Sequence, residues 1–330
     1  MSSLATQAAD ERLGEFMPPE DPSLPIRALR GLGRFFARKT AGAVALVIAF
    51  IILVLGIIGP WIAPYGPDDV FEVVNPNYDV NADPTDPANE DKLNQIIGQW
   101  RLNPNPTWDH PLGVDHGNRD LLTRVLHGAR RSMLLGFGAA AIATIFGAFL
   151  GVGSGYFGGV VDLISQRLVD AFIAFPPLLF LLLLLQTGEA TLPRTIIALS
   201  FLNIFGVSRV VRSATLAVRN DVFVEAARVM GAQPPRIIFR HVFPNVFAPI
   251  IIIFSTTIGG AILAESTLAF LGLAPPGPSW GAMVNNGRQF FGTEPILVAV
   301  GGGALTLTVL AFNIFGDALR DVLDPRLRGA

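Results

Sequence analysis

Six long apolar segments, separated by polar connections, dominate the pattern of this 330-residue chain. They lie at residues 41–59 and at about 132–154, 163–187, 195–212, 246–271 and 295–316. As a helix the first segment is about 28 Å long, which is enough to cross a bilayer. A cleaved signal peptide has a shorter apolar core and a small-residue cleavage site, so we expect this span to be retained. The pattern predicts an all-α integral membrane protein with six transmembrane helices.

The polar regions complete the predicted organisation of the chain. Residues 1–40 begin as a Ser-, Pro- and acid-rich tail and end in an Arg-rich stretch with the spacing of an amphipathic helix. That stretch either lies on the membrane surface or only flanks the first span. Residues 60–131 are polar and rich in proline, which is typical of a water-facing loop. A five-helix core follows at 132–316, with a final tail at 317–330.

Composition supports a membrane protein and excludes several other classes. Charged residues make up only 15% of the chain and apolar residues 51%, with a mean hydropathy of +0.50. A soluble domain has about 25% charged residues. The net charge of −2 gives no reason to expect a nucleic-acid partner. The absence of cysteine rules out disulfides and thiolate metal sites, and four scattered histidines give little basis for a metal centre.

The distribution of basic residues predicts the orientation. With six spans, three groups of basic residues fall on one side of the membrane: 27–39, 209–240 and 320–328. The positive-inside rule makes that side cytoplasmic, with both termini inside and the 60–131 loop outside. Arg124, Arg130 and Arg131 fall on the outer side, but they end a long loop, and long loops translocate largely regardless of charge.

A polar, basic hairpin of two short helices is predicted at about 213–245, between the fourth and fifth spans. Gly231 is placed to end the first helix, since glycine readily adopts the positive φ of a helix C-cap. Pro234 and Pro235 suit the first turn of the second helix, where a missing N–H costs nothing. Pro244 is expected to interrupt the pattern before the next apolar run.

The hairpin resembles the cytoplasmic Glu-Ala-Ala loop of ATP-binding-cassette import permeases. The matching residues are Glu225, Ala226, Ala227, Gly231, Phe243 and Pro244. The resemblance implies that the first helix, which includes Arg228, is a coupling helix resting in a groove of an ATPase subunit. We expect the bare side formed by the two alanines to lie against that partner. An ordinary amphipathic helix with a glycine cap is the alternative, and the full spacing between two spans favours docking.

A second resemblance precedes the second span. The stretch from His110 to Asp120 is similar to a signature of the C subunits of dipeptide, oligopeptide and nickel importers. It matches at His110, Pro111, Leu112, Gly113, Asp115, Arg119 and Asp120, and departs at Val114 and Asn118. Taken alone, His110 and His116 are expected to be surface residues rather than metal ligands. Further matches at 155–159, 279–283 and 312–326 extend the resemblance over most of the chain.

These resemblances imply the type I importer permease fold and a function. The chain would be one half of the passage of an ATP-driven importer of dipeptides or oligopeptides, in a bacterial or archaeal inner membrane. Its implied partners are a homologous permease subunit, two cassette ATPases that bind ATP and Mg²⁺, an outer solute-binding protein and the peptide. The sequence lacks a phosphate-binding loop and any recognisable catalytic set, so we expect it to bind no cofactor and not to be an enzyme.

Other readings stay open. Near-identical subunits import nickel chelates, glutathione or glycosides. A proton-coupled secondary transporter would use acids within the spans as relays, but the chain shows no convincing internal repeat. A membrane enzyme would need a polar catalytic set at membrane depth, which the sequence lacks.

Two acids within the apolar segments are candidate functional groups, Asp170 and Glu265. Either carboxylate could face the passage and meet the cationic end of a peptide. The alternative, which we favour, is a buried acid satisfied by neighbouring Ser, Thr or Arg. Pro176 and Pro177 are expected to kink the third span.

Overall fold

The computed structural model describes residues 40–71, 106–186 and 188–323. The predicted N-terminal tail and basic helix, most of the acidic outer loop and the last seven residues of the C-terminal tail lie outside these ranges. Within them every regular element is helical, apart from one antiparallel bridge between Val114 and Asp120.

Ten α-helices make up the described fold. They are α1 (Thr40–Ile62), α2 (Leu121–Phe157), α3 (Gly159–Ala174), α4 (Pro177–Gln186), α5 (Leu192–Arg219), α6 (Val222–Val229), α7 (Pro234–Ile237), α8 (Phe243–Phe270), α9 (Trp280–Gly287) and α10 (Ile296–Leu323). A π-helical turn at Ile238–Val242 joins α7 to α8, and a 3₁₀ turn at Arg288–Phe290 follows α9.

Five helical segments of the described chain are long and apolar enough to cross a membrane: α1, α2, α5, the continuous run Pro234–Phe270, and α10. The pair α3 and α4 provides a sixth span if it is counted as one, although its two helices are bent by 85°. The sequence predicted a kink there, and the structure shows a complete break. Phe175 takes the extended conformation that a following proline favours, and Pro177 brings no N–H to continue α3.

The prediction that Pro244 interrupts the chain is wrong, because the helix runs from Pro234 to Phe270 without a gap. The π-helical turn accommodates the proline. In it Phe243 donates its N–H to the carbonyl of Ile238, five residues back instead of four. A wider turn of this kind relieves the crowding that a proline ring causes in an α-helix.

Glycines allow α2 and α5 to pack closely. Gly147, Gly151 and Gly155 recur every fourth residue of α2. A Cβ added at Gly151 would lie 2.6 Å from the Ser208 carbonyl oxygen, and one at Gly155 would lie 2.9 Å from a Thr215 carbon. The backbones of α2 and α5 are therefore closer together than a side chain at either of these positions would allow.

The bundle has two distinct ends. One, which we call the hairpin end, contains the turn between α2 and α3, the end of α5 and the hairpin itself. There Arg219 donates to the carbonyls of Gly155 and Tyr156, at 3.1 and 3.3 Å. At the opposite end Trp280 of α9 is 2% exposed and donates its indole N–H to the Val125 carbonyl at 3.1 Å. Both ends of α2 are thus fixed to neighbouring elements.

Candidate functional site

The first hairpin helix, α6, ends as the sequence predicted. Gly231 has a φ of +83°. Its N–H donates to the Arg228 carbonyl, and the N–H of Ala232 donates to the Ala227 carbonyl, both at 3.0 Å. These two bonds form a Schellman motif, which needs a residue in the left-handed region at the position of Gly231. The motif turns the chain back sharply, so α6 is held at a fixed angle to α7.

The expectation that both alanines of α6 face a partner is wrong for Ala227. Ala226 is exposed, but Ala227 is only 4% exposed, and Val224, one turn earlier, is fully buried. Both pack within this chain, in a cluster that includes Ile237 and Val242. Residues three apart share one face of a helix, and the tight turn folds that face onto the second half of the hairpin.

The opposite face of α6 exposes large apolar side chains. Val222 and Val229 are each 83% exposed and Met230 is 81% exposed. We call these three residues the α6 patch. Glu225 and Arg228 are also exposed beside it. Apolar residues this exposed at a polar end of a molecule make this face a candidate for a partner-binding surface. The sequence carried no local signal for this face, because apolar residues also lie on the buried side, at Val224 and Ala227.

The signature before the second span folds into a compact cap on the start of α2. The Asp115 carboxylate accepts from the Gly117 and Arg119 backbone N–H groups, at 2.8 and 3.0 Å, and from Arg119 Nε at 2.9 Å. Asp120 accepts from the Thr123 N–H at 2.7 Å, as an N-cap does, and lies 3.0 Å from His110 Nδ1.

This cap is a structural element rather than a reactive centre. Gly113 has a φ of +83°, and its carbonyl accepts from the Leu121 N–H at 3.0 Å. His110 is 9% exposed, so the prediction that it lies on the surface is wrong, because Asp120 holds it inside the cap. His116 is exposed, as predicted. No group of three or more potential metal ligands occurs among the residues that the structure describes.

Glu265 of α8 is enclosed by its own chain. It is fully buried, with Arg131 Nε of α2 3.8 Å from its Oε1 atom and the Ser266 hydroxyl 3.5 Å from its Oε2 atom. Arg131 also donates to the carbonyls of Pro275 and Pro276, in the connection between α8 and α9. Glu265 therefore does not face a passage in this structure. The burial expected in the favoured alternative is confirmed, and Arg131 and Ser266 are its neighbours, but Oε1 of Glu265 has no hydrogen-bond partner.

Asp170 of α3 has a different environment. It forms an ion pair with Arg209 of α5, and the side chains are 48% and 46% exposed. Five phenylalanines at 172, 175, 180, 201 and 205 make a continuous set of ring contacts beside the pair, including a stack of Phe172 on Phe205 at 4.4 Å. Sequence reasoning identified Asp170 but not its partner, because pairing between α3 and α5 depends on tertiary packing.

A bundle of long apolar helices with a polar hairpin at one end is typical of a multi-pass membrane protein. Residues 127–329 match the family model described as the inner-membrane component of binding-protein-dependent transport systems. Residues 29–85 match the N-terminal transmembrane domain of oligopeptide transport permease C. The chain belongs to this family of inner-membrane permeases. Its members work with separate ATPase subunits and a substrate-binding protein and are not themselves catalytic.

Relatives with assigned names agree with this placement. The chain is 39% identical over 225 residues to the dipeptide transport system permease protein DppC of Alkalihalophilus pseudofirmus, covering 68% of this chain and 74% of the relative. It is 34% identical over 298 residues to the glutathione transport system permease protein GsiD of Escherichia coli, covering 90% of each. The two relatives differ in the solute that their names give.

A solved structure shows a similar fold. A chain from an inward-facing crystal form of the MetNI methionine ABC transporter superposes with a TM-score of 0.52. The match covers 61% of this chain and 97% of the other, at 17% sequence identity. At this identity the likeness concerns the fold alone. It supports an importer permease fold for most of the described helical bundle.

Proposed function

We propose that the chain is one of two permease subunits in an ATP-driven importer of short peptides, and that α6 docks into a groove of a cassette ATPase. The α6 patch carries this proposal. Three apolar side chains that are more than four-fifths exposed need an apolar partner surface, and no lipid is expected at a polar, arginine-rich end of the bundle. The exposed Glu225 and Arg228 would make polar contacts around the patch.

The charges support a cytoplasmic position for the hairpin end. Arg228, Arg236 and Arg240 all lie in the hairpin. At the opposite end Arg119 and Arg124 follow a long loop, and long loops translocate largely regardless of their charge. The positive-inside rule then favours the hairpin in the cytoplasm and the cap on α2 outside. That orientation places α6 where ATPase subunits are and the cap where a solute-binding protein would arrive.

The route from the ATPase to the passage is short. The Schellman motif fixes α6 to α7, and α7 continues through the π-helical turn into α8. A displacement of α6 is therefore a displacement of a 37-residue helical run that crosses the membrane. ATP binding would bias the passage because the docked α6 has different contacts in the open and closed ATPase dimer. ATP and Mg²⁺ would be bound by the ATPase subunits.

Peptides are the substrate class that the relatives support best. One relative is named for dipeptide transport and another for glutathione transport, and glutathione is itself a modified tripeptide. A glutathione importer is therefore the second candidate. The family match argues against a proton-coupled transporter that works alone, and no finding favours nickel chelates or glycosides.

The test is to replace two apolar residues of the α6 patch. Val229→Asp and Met230→Asp put a charge on a surface that an ATPase groove would desolvate, at a cost of about 2 kcal/mol or more each. Since both side chains point away from this chain, insertion and stability should not change. We expect the double variant to lose co-purifying ATPase subunits and solute-stimulated ATP hydrolysis.

The matched control is Val70→Asp, because Val70 is 61% exposed and lies near the opposite end of the bundle. It should retain both the ATPase subunits and the stimulated hydrolysis. Normal co-purification and hydrolysis in the Val229→Asp, Met230→Asp variant would rule out α6 as the docking helix.

A further inference from the structure

The Asp170–Arg209 pair lies deep in the membrane-spanning region. Asp170 is about three turns, or ~16 Å, from the start of α3 at Gly159. Arg209 is ~15 Å from the end of α5 at Arg219. The hydrocarbon core of a bilayer is about 30 Å thick, so both residues lie inside it when these two helix ends are at the membrane surface. Charges at that depth face protein or water rather than lipid.

The α5 surface around Arg209 is unlike a lipid-facing surface, whereas α3, which carries Asp170, also exposes large apolar side chains such as Leu163, Leu168 and Ile173. On α5 the exposed stripe that contains Arg209 consists of small or polar residues apart from one valine: Gly206, Arg209, Val210, Ser213 and Ala217. On α1 the exposed side chains are large and apolar: Val44, Val47, Phe50, Ile51, Ile57 and Ile58. The contrast indicates that α1 meets lipid and that this face of α5 does not.

The helix break beside the pair also indicates that this region does not face lipid. Asp170 lies one turn before the end of α3, and the chain then bends by 85° into α4. Pro176 and Pro177 bring no N–H groups, so the break weakens the hydrogen bonding of the last α3 carbonyls. Such irregular backbone is tolerated at membrane depth only where it is covered by protein or lines a water-filled cavity.

We propose that Asp170 and Arg209 line the aqueous passage and bind a zwitterionic solute, whose ammonium group replaces Arg209 on Asp170 while its carboxylate replaces Asp170 on Arg209. A solute with a single charge would separate the pair and leave one member without a counter-charge, so one ion pair is only exchanged for another. A zwitterion satisfies both members at once. The half-exposed Phe175 and the neighbouring phenylalanines form an apolar wall for the rest of the solute.

This inference rests on the proposed function, because it needs the chain to form half of a passage for peptides. Beyond the proposed function, it names the residues that contact the solute and explains why they are exposed. Short peptides and glutathione are both zwitterions, so the inference holds for either candidate substrate.

The first experiment measures whether the face is wet. The chain has no native cysteine. A single cysteine at Val210, next to Arg209 on the exposed stripe, is therefore its only thiol, and its labelling can be read on this chain after the subunits of the purified nucleotide-free complex are separated. We expect a charged methanethiosulfonate reagent to label Val210→Cys and not Phe50→Cys, which is 61% exposed on α1. Alanyl-alanine should slow labelling several-fold, whereas acetate or ethylammonium at the same concentration should not. Equal labelling of the two cysteines would overturn the aqueous face.

The second experiment separates solute binding from a structural role. Asp170→Asn and Arg209→Gln should each reduce transport of alanyl-alanine about tenfold or more, the loss expected for one charge-assisted hydrogen bond. The exchanged variant, Asp170→Arg with Arg209→Asp, keeps an ion pair between α3 and α5 but reverses its orientation. Recovery of full transport in the exchanged variant would show that the pair only holds the helices together, and would overturn the proposal.

The outcomes stay distinct from a failure of the proposed function. All variants at 170 and 209 should retain ATPase subunits, because they lie far from the α6 patch. If the wild-type chain itself had no ATPase partners, the proposed function would fail regardless of labelling. If the ATPases bind and transport is insensitive to Asp170→Asn and Arg209→Gln, only the solute site is wrong.

Discussion

Three arginine–carboxylate pairs join membrane-spanning helices of the described chain: Arg131–Glu265, Arg209–Asp170 and Arg212–Asp162. The first two have opposite surroundings. In the first, Arg131 and Glu265 connect α2 to α8, with side chains 10% and 0% exposed. In the second, Arg209 and Asp170 connect α5 to α3, with side chains 46% and 48% exposed. The chemistry of the two pairs is the same. The difference is that other segments of the same chain cover the first pair and leave the second pair exposed.

The covered pair is held by several further contacts. The connection after α8 passes over Arg131 and accepts two hydrogen bonds from it through Pro275 and Pro276. No comparable segment of the described chain covers Arg209. A buried pair of this kind fixes the arrangement of its own helices, whereas an open pair in a membrane has to meet water, a partner or a solute. One acid is therefore structural and the other is available for function.

The largest effect is expected when the covered pair is broken. Glu265→Leu leaves the Arg131 guanidinium buried with only two carbonyl partners. Removing one member of a buried ion pair typically costs about 3–5 kcal/mol. We expect a clear fall in the thermal unfolding temperature of the purified chain in detergent, together with poor membrane expression. Val70→Leu at an exposed site is the control and should behave as the wild type.

That prediction can fail in an informative way. If Glu265→Leu unfolds at the wild-type temperature but loses transport, Glu265 is functional rather than structural, and the contrast between the two pairs disappears.

The sequence predicted the features of this fold that depend on local chemistry. The positions of the spans follow from apolar segments of sufficient length, and Gly231 ends α6 because glycine best adopts the conformation that the turn requires. The sequence therefore specified where helices lie and where the hairpin turns.

Other features depend on contacts between distant residues and could not be read locally. Asp170 and Glu265 are both single acids in apolar segments, and nothing within either segment shows that one is enclosed and the other open. The inward position of Ala227 depends on how the hairpin folds onto Ile237. The continuity through Pro244 depends on a π-helical turn that has no simple sequence signal. Tertiary packing decided each of these.

An intermediate effect is expected from the glycines that hold α5 against α2, since α5 carries the open pair. Gly151→Ala adds a Cβ about 2.6 Å from the Ser208 carbonyl oxygen and 2.9 Å from the Arg212 nitrogen. Overpacking of this kind costs about 1–3 kcal/mol. Gly153→Ala, two residues away, meets no atom within 4 Å and should be neutral or stabilising through its helix propensity. Thermal unfolding in detergent measures the difference, and equal temperatures for the two variants would show that α5 can move away from α2.

The smallest effect on stability is expected at the open pair, Asp170 and Arg209. The size of the stability loss tests whether water or lipid lies against this pair. Asp170→Asn leaves the Arg209 charge without its partner. If that face meets water, the lost ion pair contributes at most about 1 kcal/mol, because solvent screens an exposed pair. If the face met hydrocarbon, an unpaired arginine would cost at least about 2.5–3.5 kcal/mol on the scale of membrane insertion.

These two ranges can be separated by measuring the unfolding temperature of the assembled complex in lipid nanodiscs. We expect Asp170→Asn to lie close to the wild type and well above Glu265→Leu in the same membrane. A fall in the unfolding temperature as large as that of Glu265→Leu would mean that the Asp170–Arg209 pair also holds the bundle together. The distinction between a covered structural pair and an open functional pair would then be wrong.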